Sequence, residues 1–182
     1  MQQHGPWKIL RSAVVYEDPW LQVTRDEVLR PDGDPGSYAT VQLKSGVCVV
    51  ARDVDGNLHL TREFHYAVGR YTIEGVSGGC EVGESPLQTA RRELAEELGI
   101  EADRWIHLGT IDPFTASIRS TVDLFLAEEL RTCPTAPEGT ECIEPVVMAA
   151  HQALAAVRDG QITHSPTCVL ILRLALDFPT PA

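Results

Sequence analysis

Residues 78 to 100 read GGCEVGESPLQTARRELAEELGI, a glycine-rich loop that runs into a helix marked at both ends. Ser85 is a good N-cap residue, and Pro86 suits the first helical position, where a missing N–H costs nothing. Gln88 completes a capping-box pattern with Ser85, and Gly99 supplies a left-handed stop. Leu87, Ala90, Leu94 and Leu98 form an apolar stripe, which leaves an acidic face expected to look outward. Glu93, Glu96 and Glu97 occupy i, i+3 and i+4, so their carboxylates share that face. Like charges at this spacing destabilise a bare helix by about 0.2–0.5 kcal/mol per pair. A hard divalent cation with oxygen ligands, Mg²⁺ or Mn²⁺, would offset that cost. Gly78, Gly79 and Gly83 let the loop backbone approach a ligand, and the combination suits metal-assisted chemistry on a phosphate.

Composition narrows the classes. The 182 residues carry a formal charge of −11, where a nucleic-acid surface would show a basic patch. Bound divalent ions would reverse the local sign for an anionic substrate. At 43% apolar residues the chain can fill a core. No apolar run is long enough to span a bilayer, and MQQHGPWKIL lacks signal-peptide character, so a cytoplasmic protein without membrane contact is expected. Five cysteines without a C-x-x-C pair indicate neither a disulfide framework nor a zinc site.

The first forty-five residues read as β-rich, with strands over 7–16, 20–29 and 38–43 and a turn at 31–36. Further strands are expected at 47–51, 58–65, 105–111, 121–127 and 143–148. Asp55-Gly56 marks a hairpin. Helices are expected at 149–157 and from the Ser165 cap to about 176.

Gly78, Glu84, Arg92-Glu93-Leu94, Glu96-Glu97 and Gly99-Ile100 stand at the spacing of a Nudix box, which this stretch resembles at every position. A chance match is on the order of 10⁻⁷ at average residue usage. The resemblance implies a Nudix-type α/β/α sandwich with a mixed sheet over residues 46–182. Arg62-Glu63-Phe64-His65-Tyr66, Glu74 and Leu124-Phe125-Leu126-Ala127 are similar to the ADP-ribose pyrophosphatase and nucleotide-sugar hydrolase subgroup. That likeness implies a small β-rich element over residues 1–45 through which the subgroup forms homodimers. It implies hydrolysis of a nucleoside diphosphate linked to another moiety, ADP-ribose or a nucleotide sugar, with two or more Mg²⁺ or Mn²⁺ ions. The alternatives are NADH, a dinucleoside polyphosphate or a dNTP as substrate, or a nucleotide-sensing domain without catalysis.

The resemblance also assigns residues. Glu93 and Glu97 are implied as principal metal ligands, with Glu96 sharing an ion and the Ser77 carbonyl adding an oxygen. Arg92 is implied to pair with Glu84, and Gly78 and Gly99 to be structural. The catalytic base is Glu93 or a glutamate of the loop holding Glu138, Glu141 and Glu144, with Glu141 favoured. Arg62, Glu74 and Arg119 are candidate substrate contacts. Trp20 or Tyr38 is a candidate for stacking on a nucleobase, because aromatics concentrate near the N-terminus of a chain only 6% aromatic. The chain departs from the subgroup at Val76-Ser77, His65, Thr115-Ala116 and Ser120, positions that belong to substrate recognition.

Overall fold

The computed structural model describes residues 1–135 and 142–178 and divides into two compact units. Residues 1–45 and 112–121 form the first, and 46–111 with the residues from 122 onward form the second. The first is a sheet in the order β1 (Gln2–His4), β2 (Trp7–Glu17), β3 (Leu21–Leu29), β4 (Pro35–Leu43) and β10 (Ile118–Arg119). Asp18 turns β2 into β3 by accepting the Trp20 and Leu21 N–H groups, each at 2.8 Å. Gly33, at φ 91°, closes the turn from β3 to β4 by donating to the Arg30 carbonyl at 2.9 Å. Strand β10 joins β4 in parallel, a pairing for which the sequence carried no signal. Within this unit Val14, Val15, Tyr16 and Trp20 are exposed.

The second unit is built around a sheet in the order β12 (Glu144–Ala149), β6 (Asn57–His65), β5 (Gly46–Arg52), β11 (Val122–Thr132) and β9 (Ile100–Ile111). Strand β7 (Arg70–Glu74) pairs with β6, and β8 (Val76–Gly79) pairs with β5. Strands β5 and β11 run parallel, so the sheet is mixed. Successive strand side chains point to opposite faces. Val47, Val49 and Ala51 of β5 join Phe125 and Ala127 of β11 in one core, under helix α1 (Pro86–Leu98). Cys48 and Val50 join Leu124 and Leu126 in the other, under α2 (Ala150–Arg158) and α3 (Ser165–Asp177). Both faces are covered, which is why these strands read as unbroken apolar runs. The unit is an α/β/α sandwich. No helix among the described residues is long and apolar enough to cross a membrane.

Several elements differ from the sequence reading. Gly78 and Gly79, read as loop, belong to strand β8, with Gly78 opposite Val47. Glycine has poor strand propensity, but here it permits close approach: a Cβ on Gly46 would lie 2.9 Å from the Gly78 carbonyl oxygen. Strand β9 starts at Ile100 rather than 105, directly after the helix stop. Helix α3 is capped by His164, one residue ahead of Ser165, so Pro166 is its second residue.

Candidate active site

Helix α1 presents the acidic face. Ser85 Oγ accepts the Gln88 N–H at 3.4 Å, and Gln88 Oε1 accepts the Ser85 N–H at 2.9 Å. Gly99 ends the helix at φ 62°. Buried Thr89, Ala90 and Leu94 fix the rotation of α1 against the sheet, and with it the direction of Glu93, Glu96 and Glu97.

Arg92 organises this face. Its Nε and Nη2 donate to the two oxygens of Glu84 at 2.9 and 3.1 Å, a bidentate pair. Nη1 donates to Glu93 Oε1 at 2.7 Å and to Glu96 Oε2 at 3.0 Å, and Nη2 also reaches the Gly79 carbonyl at 3.3 Å. One guanidinium therefore ties the loop to the helix and offsets part of the repulsion among the glutamates. Glu84 also accepts the Thr89 hydroxyl and the Glu81 N–H. These donors, the Arg92 guanidinium first, bring its carboxyl from an ordinary 4.5 down to about 2. Glu84 first, with Glu93 and Glu96, raises the Arg92 pKa further above its already high value.

The acidic face is less open than the helical pattern suggested. The Glu93 side chain is only 14% exposed because it lies across Gly78. A Cβ on Gly78 would fall 1.9 Å from Glu93 Oε1, so no other residue fits without moving that carboxylate. Ser77 sits beside it on β8, opposite Cys48, with its hydroxyl donating to the Gly75 carbonyl at 2.9 Å. Glu97 is half-buried on α1, one turn beyond Glu93. The donor set of carboxylates and a backbone carbonyl is hard oxygen throughout, which fits Mg²⁺ or Mn²⁺. Among the described residues no three carboxylate, imidazole or thiol side chains are already arranged to hold a metal ion, and Arg92 spans Glu93 and Glu96 instead.

The remaining candidates separate into groups. Arg62, on β6, donates to Glu144 Oε2 at 2.6 Å and lies over the Tyr71 ring at 4.0 Å. Glu144 is therefore engaged on β12, while Glu138 and Glu141 lie outside the described residues. Glu74, at the end of β7, accepts the Thr72 hydroxyl at 2.6 Å and contacts His65 at 3.1 Å and His164 at 3.0 Å. A substrate group would have to displace one of these partners to reach it.

Arg119 and Trp20 belong to the first unit. Arg119 lines a cavity of about 540 Å³ within that unit, together with Trp7, Asp26 and Tyr38. The Trp7 and Tyr38 rings meet edge to face, 5.6 Å apart. Trp20 is 73% exposed and is not among the residues lining this cavity. Asp26 is 7% exposed, and its Oδ1 has no hydrogen-bond partner among the described residues. Sequence reasoning missed Asp26, and also His164 and Thr167. A lone carboxylate in a strand and a His-Ser-Pro-Thr run carry no local mark of their partners.

The NUDIX domain family matches residues 42–166, and the nucleoside diphosphate sugar hydrolase N-terminal domain matches residues 7–41. The chain is 30% identical over 132 residues to an ADP-ribose pyrophosphatase of Mycobacterium tuberculosis, across 72% of this chain and 63% of that protein. It is 25% identical over 171 residues to an ADP-ribose pyrophosphatase of Bacillus subtilis, covering 93% of this chain and 92% of that one. A crystal structure of an ADP compounds hydrolase shares the fold at a TM-score of 0.83 and 18% identity, over 99% of this chain and all of that one. With the box loop, the acidic helix and the sandwich in place, the chain belongs to the Nudix family.

Proposed function

We propose that this protein is a divalent-metal-dependent pyrophosphohydrolase acting on a nucleoside diphosphate linked to a sugar, with ADP-ribose or an ADP-sugar as the foremost substrate. The observation that carries the reading is the Arg92-centred face, where one guanidinium gathers Glu93 and Glu96 and Glu93 lies against the side-chain-free Gly78. Glu93, Glu96, Glu97 and the Ser77 carbonyl would hold Mg²⁺ or Mn²⁺. Bound there, such ions supply Lewis acidity and neutralise diphosphate charge.

The chain's own residues do the rest. The diphosphate would lie beside the helix against the Gly78-Gly79 backbone, which carries no side chain. Glu93, or a glutamate of the 138–141 segment with Glu141 favoured, takes the proton of the water that attacks phosphorus. Arg92 and Glu84 hold the first of these in position. ADP-ribose would yield AMP and ribose 5-phosphate. Tyr38 and Trp20 are the candidates for stacking on a nucleobase. The cavity beside Tyr38 supports the former, because a base amino group could donate to the buried Asp26 carboxylate.

The test is a substrate panel with Mg²⁺ and with Mn²⁺: ADP-ribose, ADP-sugars, other sugar nucleotides, NADH, diadenosine polyphosphates and dNTPs. Release of AMP from an ADP-sugar, abolished by chelation, is expected. Absence of metal-dependent turnover across the whole panel would reject the reading.

A further inference from the structure

Behind the box loop, four side chains from three elements meet on a site that the reaction as described does not use. His65 ends β6, Glu74 ends β7, His164 caps α3, and Thr167 lies in the first turn of α3. His65 Nε2 is 3.1 Å from Glu74 Oε1, and His164 Nδ1 is 3.0 Å from Glu74 Oε2. Each imidazole can direct one N–H at the same carboxylate, His65 through Nε2 and His164 through Nδ1. His164 Nδ1 also lies 2.8 Å from Thr167 Oγ1, which accepts the Gly75 N–H at 2.8 Å.

Gly75 opens the segment that carries Ser77 and Gly78. It is closely seated, since a Cβ there would come 2.7 Å from the Val49 carbonyl oxygen and 3.0 Å from Cys48 Sγ. The chain of contacts thus runs from two imidazoles, through one carboxylate and one hydroxyl, to the backbone on which Glu93 rests. We propose that His65, Glu74, His164 and Thr167 form a proton-responsive latch that holds the Gly75–Gly79 segment in register with the acidic helix. His164 is its positioning residue. This rests on the hydrolase reading only for its effect on turnover.

The surrounding charges give the latch a direction. Facing it are Glu63 and His65 from β6, Arg70 and Glu74 from β7, Cys168 from α3 and Cys48 from β5. Arg70 is committed to Thr163 at 3.0 Å, and burial raises the thiols of Cys48 and Cys168, so both stay protonated. Burial holds the His164 pKa below the ordinary imidazole value; Glu74 opposes this and His65 reinforces it. His164 is therefore neutral at neutral pH, and the Glu74 carboxylate 3.0 Å from Nδ1 favours the tautomer that carries its proton there. In acid it takes up a second ring proton in a half-buried site, and the latch loosens.

Three variants with hydrogen exchange, NMR and kinetics test the latch. Asn at 164 retains a donor near the Nδ1 position but cannot titrate, whereas Ala removes it. His164→Ala should speed exchange of the Gly75 amide by about tenfold or more, and His164→Asn should leave it near wild type. With Mn²⁺ and the best substrate at pH 8, His164→Ala should lower kcat about tenfold with KM within about twofold. His164→Asn should keep the rate and lose the acid limb of the wild-type kcat profile. His65→Gln, which preserves an Nε2-like donor, should shift the His164 titration upward by removing the neighbouring imidazole that lowers it. Unchanged Gly75 exchange in His164→Ala, or a His164 imidazole that titrates at or above the ordinary value, would overturn the proposal. If no nucleotide is turned over at all, the hydrolase reading falls, and the exchange and NMR results still decide the latch.

Discussion

Arg92 and Gly78 do most to set the geometry of the acidic face, and neither carries its chemistry. Gly78→Ala pushes a methyl into Glu93. A displacement of about 1 Å at a reacting centre costs about 10²-fold, so kcat should fall by that order while circular dichroism is retained. Glu93→Gln and Glu97→Gln should each lower kcat by about 10²–10⁴-fold, the range of a lost catalytic carboxylate, again without unfolding. Near-normal rates in both would place the chemistry elsewhere. For Glu84 the folded pKa is depressed from 4.5 to about 2. Its stabilisation is therefore complete above the ordinary carboxylate value and is lost as pH falls from there toward about 2. Urea midpoints should show Glu84→Gln weaker than wild type at neutral pH, with the gap closing in acid. A gap independent of pH would mean that packing, not the Arg92 pair, is what Glu84 provides.

Among the elements, α1 was the most legible in advance, because its signals are local. Cap, proline, stripe and stop lie within fifteen residues and act through contacts one turn apart. Ser85→Ala should cost about 1 kcal/mol in a urea titration, the usual value of an N-cap. Gly99→Ala should cost about 1–2 kcal/mol or more, since it forces a left-handed residue and drives Cβ to 2.7 Å from the Cys133 carbonyl oxygen. Strand β8 and the His65–Glu74–His164 group were not legible, and the reason is physical. The Gly75 N–H finds Thr167 92 residues further along, and no window of sequence contains both partners. The three glutamates were legible as a shared face. That Arg92, inside the same motif, would span two of them was not, because a long side chain chooses its partners only after the loop has folded back.

At the scale of the whole molecule, the exposed Val14, Val15, Tyr16 and Trp20 are apolar surface suited to the homodimer that the subgroup likeness implies, and we propose that dimer. Light scattering after size exclusion should give twice the 19.9 kDa chain at micromolar concentration, and Val15→Asp with Trp20→Asp should give the monomer. A monomeric wild type would reject the dimer. Strand β10 adds a consequence of another kind. The first unit takes its fifth strand from residues 118–119, long after β4 ends at Leu43. On a ribosome adding about 5–20 residues per second, the edge of β4 waits several seconds for its neighbour to be made. During that interval the nascent chain bears an open strand edge, which is where a chaperone has something to hold. A graft that transplants residues 1–45 alone would carry that unfinished edge permanently.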